Sequence, residues 1–336
     1  MEVRSKHVLA FYYLWYGTPQ VSGQWVHWRR DASPHEAYTA HKGTSYRFTG
    51  ATAESVSDYS FLGPDGLPLI QAKNHPAIGL YDSNDPLVLR SHLKLASEAG
   101  IDAFIASWWG IGDFTDNAMA RLMDEADALG QCRVSVYYET VPEHKPERAA
   151  EDLKYVLERY GSRDAFFKVN ASPVIFLYGR VIGELSTDQW AQVIGEVRAE
   201  HEAIFIADTD AANPPPQNID GLHLYNPCGR VQRGEDMKAF YAEKVAEARD
   251  KGLIACATVI PGYDDTHIRA PGTVAPRLGG QLYCALWEYA IAADPDWVLI
   301  TSWNEWHEGS EIEPSVEDRR LYIDLTAKYA ARFKRE

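Results

Sequence analysis

Short apolar runs alternate along the chain with longer stretches in which apolar residues recur every three or four positions. Runs of about 4–8 apolar and β-branched residues are typical of buried strands, whereas the longer period is typical of amphipathic helices. The pattern predicts eight strands, at Val8–Tyr13, Ala103–Ser107, Val134–Tyr138, Pro173–Leu177, Ala203–Ala207, Gly221–Tyr225, Leu253–Ile260 and Trp297–Ser302.

Helical patterns separate most of these strands. The first helix opens at Asp85-Pro86, with proline in its first turn, and stops at Gly100. Another begins near Thr115, and the others cover about Pro146–Tyr160, Thr187–Glu200, Gly234–Lys251, Gly279–Ala292 and Val316–Lys334. The connection after the fifth strand contains Asn213-Pro-Pro-Pro216 and has no helical pattern.

Alternating strands and helices in this number predict an α/β fold, a single (β/α)8 TIM barrel that occupies residues 1–336. A doubly wound sheet is the competing architecture, but it usually has a glycine-rich phosphate loop after its first strand. Here that position holds Trp15-Tyr16-Gly17-Thr18-Pro19. The polar and aromatic segment from Tyr16 to Tyr81 is too long for a simple connection, so we expect an ordered, functional β1–α1 loop.

Charge and hydropathy exclude several classes of partner. The chain has 48 acidic and 33 basic side chains, for a net charge of −15, whereas nucleic acids and anionic membranes are bound by basic patches. No apolar run reaches the roughly 18 residues of a membrane span, and the N-terminus has no signal-peptide pattern. We therefore expect a cytoplasmic protein, although a chain trimmed of a signal peptide would have the same pattern. Oligomeric state stays open.

Cysteine and histidine spacing predicts no metal and no cofactor. Cys132, Cys228, Cys256 and Cys284 are far apart and form no CxxC pair, so we expect free thiols without a zinc site or disulfides. His75, His92, His223 and His267 are scattered and are interpreted as hydrogen-bonded structural residues. Asp264 and Asp265 with His267 are compatible with a cation site, but a solvated turn is the interpretation we favour.

Candidate functional residues follow the predicted strands, because barrel active sites lie at the C-terminal ends of the strands. They are aromatic rings, carboxylates and amides, and they lack a Ser/His/Asp arrangement. In chain order they are Tyr13, Trp15, Tyr16, Trp108, Trp109, Glu139, Tyr178, Asp208, Tyr225, Asn226, Tyr263, Asp264, Glu305 and Glu308. With an aromatic fraction of 12%, this set favours a carbohydrate site, since rings stack on the apolar faces of sugars.

Glu305 and Glu308 are the central pair of this set. They lie three residues apart, beside Trp303 and Trp306, directly after the last buried strand. One carboxyl can protonate a leaving oxygen while the other acts as base or nucleophile, which is the requirement of glycoside hydrolysis, with Glu139 as an auxiliary carboxylate. The competing interpretation is an acidic loop that caps the final helix, and the position after the eighth strand favours the active site.

Several motifs resemble glycoside hydrolase family 99, the family of endo-α-1,2-mannosidases and endo-α-1,2-mannanases. The motifs are Phe11-Tyr-Tyr-Leu-Trp-Tyr-Gly17, Trp25-Val-His-Trp28, Pro76-Ala-Ile-Gly-Leu-Tyr-Asp-Ser83, Ser107-Trp-Trp-Gly110, Pro261-Gly-Tyr-Asp-Asp-Thr-His-Ile-Arg269 and Trp303-Asn-Glu-Trp-His-Glu-Gly309. They span nearly the whole chain in order. The last is shared with broader polysaccharide-processing relatives, so the N-terminal and Pro-Gly-Tyr-Asp segments are the ones that narrow the match.

The resemblance implies a (β/α)8 barrel, no metal, and retention of anomeric configuration through a 1,2-anhydro sugar formed by the substrate's own 2-hydroxyl. It implies that Glu305 is the base for that hydroxyl and that Glu308 protonates the leaving oxygen and then activates water. It also implies that Glu139 and Tyr225 line the sugar site. Together with the strand ends, we expect substrate contacts from Tyr13, Trp15, Tyr16, His75, Trp108, Trp109, Glu139, Tyr225, Asn226, Tyr263, Asp264, Arg269, Trp303, Asn304 and Trp306.

Two segments depart from the family pattern and bear on the substrate more than on the chemistry. Glu139-Thr140-Val141 stands where the family has Glu-Pro-Tyr, and Gly309-Ser310-Glu311 stands where it has Gly-Thr-Gln. The prediction is a retaining glycosidase acting on an α-mannoside or mannoside-like glycan, with endo action favoured. The alternatives are a glycan-transferring enzyme of polysaccharide processing and a non-catalytic glycan-binding barrel.

Overall fold

A parallel sheet that closes on itself organises the protein. The computed structural model describes residues 5–28, 66–68, 70–209 and 214–335. Its strands are β1 (His7–Tyr13), β2 (Ala103–Trp108), β3 (Arg133–Tyr138), β4 (Lys168–Val169), β5 (Ser172–Leu177), β6 (Ile204–Asp208), β7 (Gly221–His223), β8 (Ile254–Val259), β9 (Tyr263–Asp264), β10 (Val274–Ala275) and β11 (Trp297–Ile300). Parallel pairing runs β1-β2-β3-β5-β6-β7-β8-β11 and returns to β1, where Val8 pairs with Val298.

Helices follow most of the barrel strands, as a right-handed β-α-β connection requires. They are α1 (Pro19–Ser22), α2 (Pro86–Glu98), α3 (Phe114–Leu129), α4 (Pro146–Tyr160), α5 (Gly179–Glu184), α6 (Thr187–Arg198), α7 (Cys228–Gln232), α8 (Met237–Asp250), α9 (Gln281–Ala293) and α10 (Leu321–Phe333). Their N-terminal caps explain several starts: Asp85 accepts from the N–H of Leu87, and Ser186 forms a capping box with Gln189. No helix of the described ranges is long and apolar enough to cross a bilayer.

Two apolar layers result from the alternation of side chains along each strand. Along β1, Val8, Ala10 and Tyr12 face outward into the layer between sheet and helices. Leu9, Phe11 and Tyr13 face inward and pack in the barrel interior. Along this strand the inward residues change from leucine at the N-terminal end to tyrosine at the C-terminal end of the barrel.

The predicted (β/α)8 fold is confirmed, and the eight predicted strands are the barrel strands. The sixth ends earlier than expected, at His223, because side chains rather than a neighbouring strand take the next carbonyls. Thr301 donates to the carbonyl of Tyr225 at 2.5 Å, and Thr258 donates to that of Leu224.

Two helix starts were predicted too early. The last helix begins at Leu321 rather than Val316, because a turn closed by reciprocal backbone bonds between Ser315 and Arg319 precedes it. The helix expected from Gly234 begins at Met237, where Asp236 provides the cap. Periodicity also missed the short elements β4, α5, α7 and the β9–β10 hairpin. Most of the expected long β1–α1 loop, residues 29–65 and 69, lies outside the described residues, as does Asn213.

We predict opposite effects from alanine at two glycines. A Cβ at Gly221 in β7 would lie 2.5 Å from Ile206 Cδ1 and 2.9 Å from Ile254 Cβ, so Gly221→Ala should destabilise the barrel by about 1–3 kcal/mol. Gly195, within α6, has open space around the same position, so Gly195→Ala should stabilise by about 0.5–1 kcal/mol. Urea unfolding of both variants measures the two signs, and equal effects would contradict the packing described at β7.

Candidate active site

The loop after β11 builds the centre of the site. Beyond the strand the backbone folds back on itself: Ser302 donates to the carbonyl of Ser310 at 2.7 Å, and Ile312 donates to that of Ser302 at 2.9 Å. A 3₁₀ turn at Trp306–Glu308 occupies the tip, and Gly309 ends it with a φ of 60°, which favours glycine. This turn presents Glu305 and Glu308 to the mouth of the barrel.

Asn304 ties this loop to the first strand. Its side-chain carbonyl accepts from the N–H of Tyr13 at 2.7 Å, and its amide donates to the Tyr13 carbonyl at 3.0 Å. The same amide donates to the hydroxyl of Tyr81, and Tyr16 donates to the Asn304 carbonyl, both at 3.0 Å. The end of β1 and the carboxylate loop are thereby held in one register.

Glu305 is buried and only 3% exposed. Its N–H donates to Ser302 Oγ at 2.7 Å, and its carboxylate accepts from the N–H of His307 at 3.2 Å. Burial, followed by the charge of Glu308, raises the pKa of Glu305 well above its usual range, while Arg269 opposes the shift. The carboxyl therefore holds a proton more firmly than an exposed glutamate does.

Glu308 is more accessible and meets a cation. Arg269 Nη1 donates to Glu308 Oε1 at 2.9 Å, and Tyr225 donates to Oε2 at 3.4 Å. Tyr13 in turn donates to the Tyr225 hydroxyl at 2.5 Å. Glu308 therefore has a cationic partner and a pair of hydrogen-bonded tyrosines, and its charge acts on the buried Glu305.

The hairpin after β8 positions Arg269. Its Nη1 also donates to Asp265 Oδ2 and to the Tyr263 hydroxyl, both at 2.7 Å. Asp265 is 3% exposed and accepts from the N–H of Thr273 at 2.6 Å, so its own position is held by the hairpin backbone. We favoured a solvated turn for Asp264 and Asp265, and for Asp265 that prediction is wrong, because Arg269 compensates its buried charge.

Glu139 directly follows β3 and is buried. Ser107 donates to its carboxylate at 2.9 Å, and the Trp109 indole donates to Ser107 Oγ at 3.0 Å. Burial raises the pKa of Glu139 to about 7, partly offset by the Arg180 guanidinium. That guanidinium also lies over the Trp109 ring at 4.7 Å.

Aromatic rings and a cavity complete the site. Trp15 stacks on His27 at 4.4 Å between centroids and lies 4.5 Å from the Tyr13 ring. Burial lowers the pKa of His307 to about 4, so this neighbour of the carboxylates is neutral near pH 7. A cavity of about 410 Å³ opens beside Glu308 and is lined by Tyr178, Leu224, Tyr225, Asn226, Cys228, Gly229, Arg230, Arg233, Tyr263, Arg269 and Glu308.

Many of the predicted site residues meet at this mouth. The charges of Glu139, Glu305 and Glu308, after burial, raise the pKa of the Tyr13 hydroxyl, so all three carboxylates act on this one group. Tyr225, Tyr263 and Arg269 line the cavity with Glu308. Asn226 also lines it, and its side chain accepts from the N–H of Cys228, the first residue of α7.

Other predicted residues lie in the wall behind the mouth. Trp108 is buried in the outer layer, with its indole donating to Asp116 at 3.1 Å, and Trp303 packs there against Phe104. The Trp306 indole donates to the hydroxyl of Tyr81 at 3.2 Å. Tyr16 and Asn304 are fully buried as described above. These side chains support the site from within the packed interior.

Two predicted residues pair with charges elsewhere. His75 bonds to Glu317 at 3.0 Å and to the carbonyl of Pro68 at 2.9 Å. Asp264 pairs with Lys73 and accepts from Thr266. Their proposed contact with substrate stays a prediction.

Four residues at the site were not predicted from the sequence: Ser107, Arg180, Arg230 of α7 and Arg233 directly after it. Ser107 ends the second predicted strand, so its position was the available signal. Arg180 and the α7 residues belong to connections whose elements periodicity did not predict, and nothing local marked them. Within the described ranges, no group of three or more His, Cys, Asp or Glu side chains is arranged to hold a metal ion.

Comparison with known proteins agrees with this geometry. The family model for glycosyl hydrolase family 99 matches residues 3–330. The glycoprotein endo-alpha-1,2-mannosidase of Rattus norvegicus is 26% identical over 98% of this chain and 75% of its own length. The glycoprotein endo-alpha-1,2-mannosidase-like protein of Homo sapiens is 26% identical over 97% and 76%. The GH99 endo-alpha-mannosidase structure from Bacteroides thetaiotaomicron superposes with a TM-score of 0.77 at 25% identity and 98% coverage of both chains.

Glu139 should make the protein less stable as pH rises. Its folded pKa of about 7 lies above the ordinary 4.5, so the folded state keeps a proton that the unfolded chain loses in this window. The contribution of Glu139 to the free energy of unfolding is therefore fully present below pH 4.5, and it is lost as pH rises toward 7. Glu139→Gln keeps the acceptor for Ser107 and should remove a loss on the order of 1–3 kcal/mol.

Urea unfolding at acidic and mildly alkaline pH measures this difference. Relative to wild type, Glu139→Gln should gain stability at the higher pH. Glu151→Gln, which changes an exposed partner of Arg148, serves as the matched control and should keep the wild-type pH dependence. Parallel pH profiles for wild type and Glu139→Gln would contradict the assignment.

Proposed function

The chain belongs to glycosyl hydrolase family 99 and is a glycoside hydrolase, and from that premise we propose that it is an endo-acting α-mannosidase that retains anomeric configuration. The observation that carries the proposal is the pair Glu305 and Glu308, one carboxyl buried and the other bonded to Arg269 at the barrel mouth. The endo-alpha-1,2-mannosidase names of the relatives make the α-1,2-mannoside linkage the first to test.

Glu305 is assigned as the base in the first step. It takes the proton of the sugar's 2-hydroxyl while that oxygen attacks C1, the bond from C1 to the leaving oxygen breaks, and Glu308 gives its proton to that oxygen. The product of this step is a 1,2-anhydro sugar and a free alcohol. A carboxylate with a raised pKa is a stronger proton acceptor once ionised, which suits Glu305 for this role.

The second step restores both carboxyl groups. Water attacks C1 and gives a proton to Glu308, the bond from C1 to O2 breaks, and Glu305 returns its proton to O2. Two inversions at C1 leave the configuration unchanged. No carboxylate attacks carbon directly, in contrast to the usual retaining pair.

Substrate binding has to redistribute one proton. The raised pKa of Glu305 favours retention of its proton, while Arg269 pairs with the Glu308 carboxylate. The reaction needs the reverse distribution. We propose that the 2-hydroxyl, donating to Glu305, and the glycosidic oxygen, accepting from Glu308, drive this shift, with the tyrosine pair Tyr13–Tyr225 bordering Glu308.

Amide variants test the two roles separately. Glu305→Gln and Glu308→Gln should each lower kcat/KM for an α-1,2-mannobiosyl substrate by about 10²–10⁴ without lowering the melting temperature. With a dinitrophenyl leaving group, which needs no protonation, the loss should shrink for Glu308→Gln and persist for Glu305→Gln. Glu125→Gln, a surface partner of Arg90, is the control.

Full activity of both amide variants would show that Glu305 and Glu308 are not the catalytic pair. An equal loss on both substrates for Glu308→Gln would remove it from the acid role while leaving the family assignment intact.

Participation of the 2-hydroxyl predicts a requirement in the substrate itself. A substrate whose reacting sugar lacks this hydroxyl, as a 2-deoxy or 2-O-methyl derivative, should not be cleaved, because no oxygen is available to form the anhydro ring. Proton NMR of the first product formed from the parent substrate should show the α anomer. Cleavage of the 2-O-methyl substrate at the parent rate would contradict the proposed route.

A further inference from the structure

An arginine-lined wall faces the cavity beside Glu308. Arg230 and Arg233 line this cavity together with Arg269, and Glu308 is the carboxylate among the lining residues. The chain as a whole has a net charge of −15. A cluster of guanidinium groups at the catalytic carboxylate therefore runs against the charge of the protein.

Charge pairing distinguishes these arginines. Arg269 is matched by Asp265 and Glu308, so its charge is compensated within the site. Arg230 and Arg233 both bond to Glu235, at 2.7 and 2.8 Å respectively. Two guanidinium groups share one carboxylate here, whereas the single Arg269 guanidinium faces two, so the charges balance overall and the excess of N–H donors lies at Arg230 and Arg233.

The two side chains are also held in position. The Arg230 guanidinium lies 4.3 Å from the centroid of the Phe240 ring, and the Arg233 guanidinium lies against Gly229, where an added Cβ would be 3.3 Å from Nη1. Both residues line the cavity, and their side chains are 35% and 61% exposed, so N–H donors not used by Glu235 are accessible to a ligand. Planar guanidinium groups bind carboxylate and phosphate oxygens through paired hydrogen bonds.

We propose that Arg230 and Arg233 form a subsite for an oxyanion group, a carboxylate or a phosphate, on the leaving-group sugar. The cavity is lined by Glu308 and not by Glu305, and its placement on the leaving-group side rests on the proposed role of Glu308 as the acid for the leaving oxygen. The substrate class is accordingly an acidic α-mannoside, in which the charged sugar lies on the reducing side of the cleaved bond.

Matched trisaccharides test this subsite. The leaving sugar is mannose, mannuronate or mannose 6-phosphate, each carrying the same α-1,2-linked mannobiosyl group. We expect kcat/KM for at least one acidic substrate to exceed the neutral value by about tenfold, and the two acidic arms identify the anion. The ratio of acidic to neutral kcat/KM should fall toward unity in Arg230→Gln/Arg233→Gln and at high salt.

Arg332→Gln is the control for net charge, because it removes a guanidinium bonded to Glu288 on the helical surface. It should keep the wild-type ratio. The subsite would be overturned if the neutral substrate were cleaved as well as both acidic ones. It would also be overturned if the preference for an acidic substrate survived in the double variant.

Calorimetry separates this proposal from the proposed function. Mannose 6-phosphate and mannuronate are titrated against mannose with wild type and the double variant. If no mannoside is hydrolysed but an acidic sugar binds more tightly than mannose in an arginine-dependent manner, the proposed activity fails and the subsite stands. If mannosides are hydrolysed but the acidic sugars show no such advantage in binding or turnover, the subsite fails and the activity stands.

Discussion

The catalytic mouth depends on one interaction, the pairing of the Arg269 guanidinium with the carboxylates of Asp265 and Glu308. Carboxyl groups crowd this end of the barrel, and taking a carboxylate out of water is costly unless it is paired or keeps its proton. Asp265 and Glu308 share the Arg269 guanidinium, whereas Glu305 and Glu139 respond to burial by a rise in pKa. One shared cation and two carboxyls with raised pKa values thus reduce the cost of burying this charge, and the same arrangement places proton donors and acceptors together.

Arg269 reaches Glu308 only because two segments distant in sequence meet at the barrel mouth. The β9–β10 hairpin aims Arg269, and the loop after β11 presents Glu308, while Asn304 joins this loop to the end of β1. Behind them, a buried hydrogen-bond network of Tyr81, His92 and Glu313 packs under the same loop. The carboxylate loop is therefore held by buried hydrogen bonds, and Arg230 of α7 and Arg233 directly after it line the cavity beside Glu308.

Much of the barrel architecture could be predicted from the pattern of apolar and polar residues along the chain. Each barrel strand is a short apolar run, and each lies between turns and helices of the expected period, so the eight strands and the barrel were predictable. Asp85 marked a helix start for the same reason, because its side chain satisfies a backbone N–H next to it in sequence. Where the start depended on a distant contact or on turn geometry, as before Leu321, the prediction was several residues early.

The sequence by itself determined the barrel, the family, and the candidacy of Glu305 and Glu308, since strand periodicity and motif order are properties of neighbouring residues. Only the tertiary structure decided which side chains face the mouth: Trp108, Trp303 and Trp306 share its motifs yet lie in the interior, and Asp265 is buried against Arg269. It also decided that Arg230 and Arg233 stand beside Glu308, nearly eighty residues away along the chain. The physical reason is that burial and charge pairing arise between elements, and the spacing of residues along the chain does not encode which elements meet.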